Sequence, residues 1–198
     1  MNTDSREYHI LQSAVERVHA VEGFTCEIGV REGGGTQLIL DALRRSLQRK
    51  VHVAIDPFGN IEYEHWETKK ERLDYTNQMK NNMLRHLYAY CAEHNQEVLF
   101  FPLEDSEFFA RYADGIPIYN EYRELVNTYA MVFFDGPHTF ELVKREFDFF
   151  REKMPPGGTM VFDDIDQYPH MDRLDPYIQS HGFRLLDQGK CKISYIKV

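Results

Sequence analysis

The segment Phe24-Thr-Cys-Glu-Ile-Gly-Val-Arg-Glu-Gly-Gly-Gly-Thr36 constrains this chain more than any other. A short apolar run ends at Glu27-Ile-Gly29, passes through Gly33, Gly34 and Gly35, and enters a helical pattern at Thr36. That order reads as strand, tight loop and helix start. Glycine suits such a loop because it takes backbone angles other residues resist and lets a ligand lie directly on the main chain. The free N–H groups of the following helix favour an anionic or polar group. The segment therefore predicts a small-molecule cofactor site.

The rest of the chain limits what that cofactor serves. With 198 residues the protein has the length of one domain and can bury a sizeable core. A net charge of −9 and a pI near 5.5 oppose binding to phosphate backbones or anionic membranes. Lys69-Lys70 and Arg44-Arg45 are modest basic clusters of the kind found on solvated helix faces. Cys26, Cys91 and Cys191 are odd in number and widely spaced, which gives neither a disulfide framework nor a zinc pattern. The polar start and the lack of any long apolar run predict a cytoplasmic protein.

Hydrophobic periodicity predicts an order of elements. An amphipathic helix within residues 1–21 precedes strands at 24–29 and 51–56, with a helix at 36–47 between them. A long polar stretch without glycine or proline from 62 to 95 predicts a helical insert spanning 59–95. Strands follow at 98–101, 130–134 and 159–162, with two helical pieces at 106–127 and a helix at 140–153. A helix at 174–181 and strands at 183–187 and 193–198 end the chain. Alternating strands and helices predict an α/β fold: a Rossmann-like, doubly wound, mostly parallel sheet of seven strands. The connection Gln188-Gly-Lys190 is too short for a crossover helix, so the last two strands must form an antiparallel hairpin.

The loop itself selects among ligands. Gly35 stands where a triphosphate-binding loop needs lysine before its Ser or Thr. The spacing from Gly29 to Gly33 departs from the dinucleotide pattern, and Glu27 is poor company for a pyrophosphate. A ligand with an amino group or hydroxyls suits that carboxylate better. Asp56 ends the second strand, where an acidic residue can accept hydrogen bonds from ribose hydroxyls; alternatively Asp56-Pro57 forms a turn. Glu104-Asp105-Ser106 follows the third strand, where it can meet an adenine amino group or cap the next helix.

Glu27 to Thr36, Asp56, Asp105 and the closing hairpin together resemble a class I S-adenosylmethionine-dependent methyltransferase. Phe134-Asp-Gly-Pro-His-Thr-Phe140, Pro156-Gly-Gly158 and Phe162-Asp-Asp-Ile165 are similar to the macrocin-type sugar O-methyltransferases. The resemblance covers roughly residues 22–198. It implies that Glu27, Gly29, Gly33, Gly34 and Thr36 serve the methionine end of the cofactor, Asp56 the ribose, and Asp105 and Ser106 the adenine. It further implies Mg²⁺ held by Asp135, Asp163 and Asp164, with His138 as base.

Elementary chemistry runs the same way. Asp135 ends one strand and Asp163-Asp164 the next, and neighbouring strands lie ~4.8 Å apart. Converging carboxylates repel unless a cation compensates them, and hard oxygen ligands suit Mg²⁺, Ca²⁺ or Mn²⁺. His138 can take the proton of an acceptor hydroxyl. The expected function is O-methylation of a small hydroxylated molecule. The alternatives are metal-independent N-methylation, with the aspartates orienting an amine, and a cofactor-fold binding protein without catalysis. The aromatic residues Tyr63, Trp66, Tyr75, Tyr88 and Tyr90 are candidates for a substrate wall or a homo-oligomer face, and Tyr168 to Met171 for a second pocket rim.

Overall fold

The computed structural model describes residues 6–66, 69–119 and 121–198. The elements run α1 (Tyr8–Arg17), β1 (Phe24–Ile28), α2 (Gly34–Arg45), β2 (His52–Ile55), β3 (Gly59–Trp66), β4 (Lys69–Tyr75), α3 (Asn77–His94), β5 (Val98–Phe101) and α4 (Asp105–Arg111). They continue with β6 (Ile116–Tyr119), β7 (Arg123–Val126), β8 (Tyr129–Phe134), α5 (Phe140–Arg151) and β9 (Thr159–Phe162). A π-helical turn (His170–Leu174), α6 (Asp175–Ser180), β10 (Phe183–Gln188) and β11 (Ile193–Lys197) complete the order.

Seven strands form one sheet in the order β10-β11-β9-β8-β1-β2-β5. The five strands β1, β2, β5, β8 and β9 run parallel, and β11 is antiparallel to both β9 and β10. β1, β2, β8 and β9 are buried along their whole length. Continuous apolar runs suit strands covered by helices on both faces. One core joins α4, α5 and α6 to the sheet through Phe108, Phe147, Phe150 and Ile178. The other joins α1, α2 and α3 through Leu11, Ile39, Leu43 and Leu87. No described helix is long and apolar enough to cross a membrane.

Two expected helical regions are corrected by hairpins. Residues 59–95 are not helical throughout: β3 and β4 pair antiparallel, and only α3 is helix. The run Ile61-Glu-Tyr-Glu64 alternates apolar and polar with a period of two, and Phe58 and Gly59 both take positive φ to turn the chain into it. Thr76 then starts α3 by accepting a hydrogen bond from the Met79 N–H at 3.1 Å. Likewise residues 116–126 form the β6–β7 hairpin, not a second helical piece. Gly115 enters it with φ of +121°, where a Cβ would lie 2.8 Å from the Val126 carbonyl. The side chains of Tyr63 and Trp66 lie outside the described residues. Tyr90 is tied to Asp41 at 2.6 Å, and Tyr88 is exposed.

Glu146 of α5 is a misfit in this core. It is fully buried, and neither carboxylate oxygen has a hydrogen-bond partner among the described residues. Burial, with Asp105 nearby, holds its carboxyl well above the usual carboxylate range. A carboxyl raised in the folded state binds its proton more tightly there than in the unfolded chain. Stability is therefore full below the usual carboxylate range and falls as pH rises through it toward the folded value. Glu146→Gln is expected to flatten that slope and to raise stability near pH 8 by about 1–3 kcal/mol. Urea denaturation at several pH values checks this; a variant less stable than the parent at pH 8 would contradict it.

Candidate active site

The strand registers bring one residue from each strand end to a common rung. Ile28 pairs with Ile55 and with Phe134, and Phe134 pairs with Phe162. The next residues along are Asp56, Gly29, Asp135 and Asp163, just beyond the carboxyl ends of the parallel strands. That is where open α/β sheets bind ligands. Gly29, with φ of +88°, is needed there: a Cβ would lie 2.1 Å from the Asp135 carbonyl oxygen.

The glycine loop is held from below by acidic groups. Asp56 accepts hydrogen bonds from the N–H groups of Val30 (2.9 Å), Arg31 (2.8 Å) and Phe58 (2.9 Å). Burial raises its carboxyl, and those three donors oppose the rise. Glu27 is fully buried, and one oxygen accepts from the Thr36 hydroxyl. His52, itself hydrogen-bonded to Thr25 at 3.0 Å, lies 3.8 Å from the same oxygen. The other oxygen, Oε1, has no partner among the described residues, and burial pushes the Glu27 carboxyl upward. Gly35 makes room for it, since a Cβ would lie 2.1 Å from Oε1. A buried acceptor without a partner, beside a bare backbone cradle, fits the amino group of a ligand lying on the loop.

A cavity of about 850 Å³ opens above this rung, a size suited to a cofactor-sized ligand. Its wall includes the expected Glu27, Gly29, Gly34, Asp56, Asp105, Ser106, Asp135, His138, Asp163 and Asp164. Gly33 and Thr36 are not on the wall. Gly33 starts α2 with φ of 82°, and Thr36 anchors Glu27 from behind. Asp105 is paired with Arg145 at 2.5 Å and also accepts from the Ser106 N–H, so its carboxylate is shared between the wall and the start of α4. Tyr75 joins the wall, as do Arg6 and Cys191, which the sequence did not single out. The expected rim at Tyr168 to Met171 does not line the cavity. His170 is buried between the hydroxyls of Tyr168 (2.9 Å) and Tyr195 (3.0 Å), and burial lowers its pKa to about 4. Tyr168 nevertheless stacks parallel to the His138 ring at 6.1 Å.

Past the end of β8, Thr139 starts α5 and fixes the preceding loop, leaving His138 buried with Nε2 3.2 Å from Asp164 Oδ2. Asp164 takes a positive φ of 47°, a strained angle that brings its carboxylate to the histidine. Asp163 Oδ1 accepts from the Asp164 N–H at 2.9 Å. Asp163 Oδ2 lies 2.6 Å from the ammonium of Lys192, and both side chains are buried. Burial and the neighbouring Asp163 push the Asp135 carboxyl well up, while Lys192 opposes the rise. The register of β8 on β9 sets Asp135 and Asp163 at neighbouring strand ends, with Asp164 next along the chain. The described residues nevertheless form no group of three or more that could hold a metal ion, and a protein cation already sits against Asp163. The Mg²⁺ expectation does not fit this arrangement. Lys192 escaped the sequence reading; the register of β11 on β9, which pairs Ile193 with Phe162, is the signal that sets Lys192 opposite Asp163.

Fold and site together define a Rossmann-like class with a glycine-lined cavity at the carboxyl ends of its parallel strands. Residues 26–165 match the family described as a methyltransferase domain, and the chain belongs to that family. It is an S-adenosylmethionine-dependent methyltransferase. Among curated proteins none matches the sequence. Solved structures share the fold. The calicheamicin methyltransferase CalS11 has a TM-score of 0.63 at 15% identity, covering 96% of this chain and 78% of its own. An O-methyltransferase from Bacillus cereus, solved with S-adenosylhomocysteine, has a TM-score of 0.56 at 12% identity, covering 99% of this chain and 83% of its own. A Streptococcus mutans protein, also solved with S-adenosylhomocysteine, has a TM-score of 0.60 at 10% identity, covering 100% of both chains.

Proposed function

We propose that the protein transfers the methyl group of S-adenosylmethionine to a hydroxyl oxygen of a small acceptor, with His138 as the base. The observation that carries this reading is the contact of buried His138 with the part-exposed Asp164 at 3.2 Å, in the same cavity as the glycine cradle. Asp164 orients the imidazole and stabilises the charge it gains. The acceptor proton passes to His138, the oxygen forms a bond to the methyl carbon, and the carbon–sulfur bond breaks to leave S-adenosylhomocysteine. Glu27 Oε1 is assigned to the cofactor amino group, with the backbone of Gly29 and Gly34 beneath the methionine end. Asp56 is assigned a double duty. It clamps the loop through three N–H groups and offers its remaining lone pairs to the ribose. Asp105 and Ser106 are assigned to the adenine side.

Calorimetry with S-adenosylhomocysteine tests the reading at its base. Saturable binding well below millimolar concentration is expected, and no heat at millimolar ligand would refute it. The acceptor follows from a screen of sugars, catechols and amines for S-adenosylhomocysteine release. Turnover confined to amines would replace oxygen by nitrogen as the methylated atom.

A further inference from the structure

The charge that compensates the aspartates comes from within the chain. Lys192 precedes β11, and the pairing of Ile193 with Phe162 sets it across from Asp163 on the same rung. Its side chain is fully buried, with Nζ 2.6 Å from Asp163 Oδ2 and 4.6 Å from the centre of the Phe133 ring. A buried ammonium costs several kcal/mol unless a counter-charge compensates it, so such a lysine needs Asp163 as much as Asp163 needs it. The turn that presents Lys192 is fixed independently. The carboxylate of Glu7 accepts from the N–H groups of Lys190 (2.8 Å), Cys191 (3.1 Å) and Lys192 (3.1 Å), which hold it ionised below the usual range.

A divalent ion such as Mg²⁺ needs carboxylate oxygens at ~2.0–2.1 Å in near-octahedral order. Here Asp163 Oδ2 faces the ammonium, Asp163 Oδ1 faces the Asp164 N–H, and Asp164 Oδ2 faces His138. A second cation would meet Lys192 at close range in a water-poor setting, where like charges repel strongly.

We infer that Lys192 is a resident cation standing in for a divalent metal ion, so that this methyltransferase site works without one. The inference rests on the methyl-transfer reading above. Lys192 is a positioning residue. It is not on the cavity wall, and it acts through Asp163, whose orientation and charge it sets for the acceptor. One consequence separates this role from mere support of the fold: neutralising Lys192 leaves the aspartates uncompensated and opens the place to a metal.

Titration with Mn²⁺, followed by the spin-resonance signal of the free ion, reads this directly. The proteins are the parent, Lys192→Met and Lys192→Met/Asp163→Asn, each checked for S-adenosylhomocysteine binding. The parent is expected to bind Mn²⁺ no more tightly than on the order of 1 mM, the range of weak sites. Lys192→Met is expected to bind at least tenfold more tightly, and the double variant to lose that gain. Stoichiometric Mn²⁺ binding by the parent below about 0.1 mM would overturn the inference. So would a Lys192→Met protein that keeps its S-adenosylhomocysteine affinity and gains no Mn²⁺ binding. If Lys192→Met does not fold, the parent titration alone decides. Loss of S-adenosylhomocysteine binding in the parent would count against the methyl-transfer reading and leave the Mn²⁺ result standing by itself.

Discussion

Gly35→Ala is expected to weaken S-adenosylhomocysteine binding at least tenfold, about 1.4 kcal/mol, and to lower the melting temperature at the same time. The added Cβ would sit 2.1 Å from Glu27 Oε1 and 3.2 Å from a ring carbon of Phe133. Neither neighbour can yield cheaply. Glu27 is fully buried with its other oxygen held by Thr36, and Phe133 is fully buried in β8. Either the carboxylate turns away from the cradle, removing the acceptor assigned to the cofactor amino group, or α2 lifts off β1. Overpacking of this kind costs about 1–3 kcal/mol. Calorimetry and a thermal melt on one sample measure both effects. An alanine variant that binds within threefold of the parent would show that Glu27 is not part of the cofactor cradle.

The second large effect concerns chemistry. His138→Ala is expected to lower kcat by about 10²–10⁴-fold, the usual worth of a positioned general base. S-adenosylhomocysteine affinity should stay within about twofold, because His138 lies on the acceptor side of the rung. Loss of packing against Tyr168 would act differently, lowering the melting temperature and both binding and turnover together. The measurement is S-adenosylhomocysteine release with whichever acceptor the screen yields. A variant keeping more than a tenth of parental turnover would remove His138 as the base.

These two residues also mark what a sequence can reveal. Gly35, Glu27 and Thr36 sit within ten positions of one another, so local spacing suffices to read strand, loop and helix start. β1, β8 and β9 were legible as short apolar runs with turn residues at their ends. The β3–β4 hairpin is not, because a polar stretch free of glycine and proline carries no turn signal, and the alternation of Ile61 to Glu64 is too short to outweigh it. Asp56 was placed correctly at a strand end, but its bonds to Val30, Arg31 and Phe58 depend on how the loop folds back over β2. Lys192 was the least legible. Nothing near it in sequence signals a buried cation, and only the antiparallel register of β11 against β9 brings it to Asp163. The three aspartates are legible in the sequence, but the buried ammonium set against Asp163 is not.

The Glu7 clamp has a consequence for how the protein is made. Its partners lie 183 to 185 residues further along the chain, so the contact cannot form while the ribosome is still working between them. The glycine loop, α2 and β2 emerge early, and β8 with Asp135, whose Phe133 and Asp135 pack against Gly35 and Gly29, follows well ahead of residue 192. A nascent chain can thus assemble the cofactor cradle long before Lys192 arrives. A message truncated ahead of that codon would direct synthesis of a protein with its aspartates exposed and uncompensated. Such a chain is one that a cell's quality control should recognise and that a purified truncation should betray by aggregation.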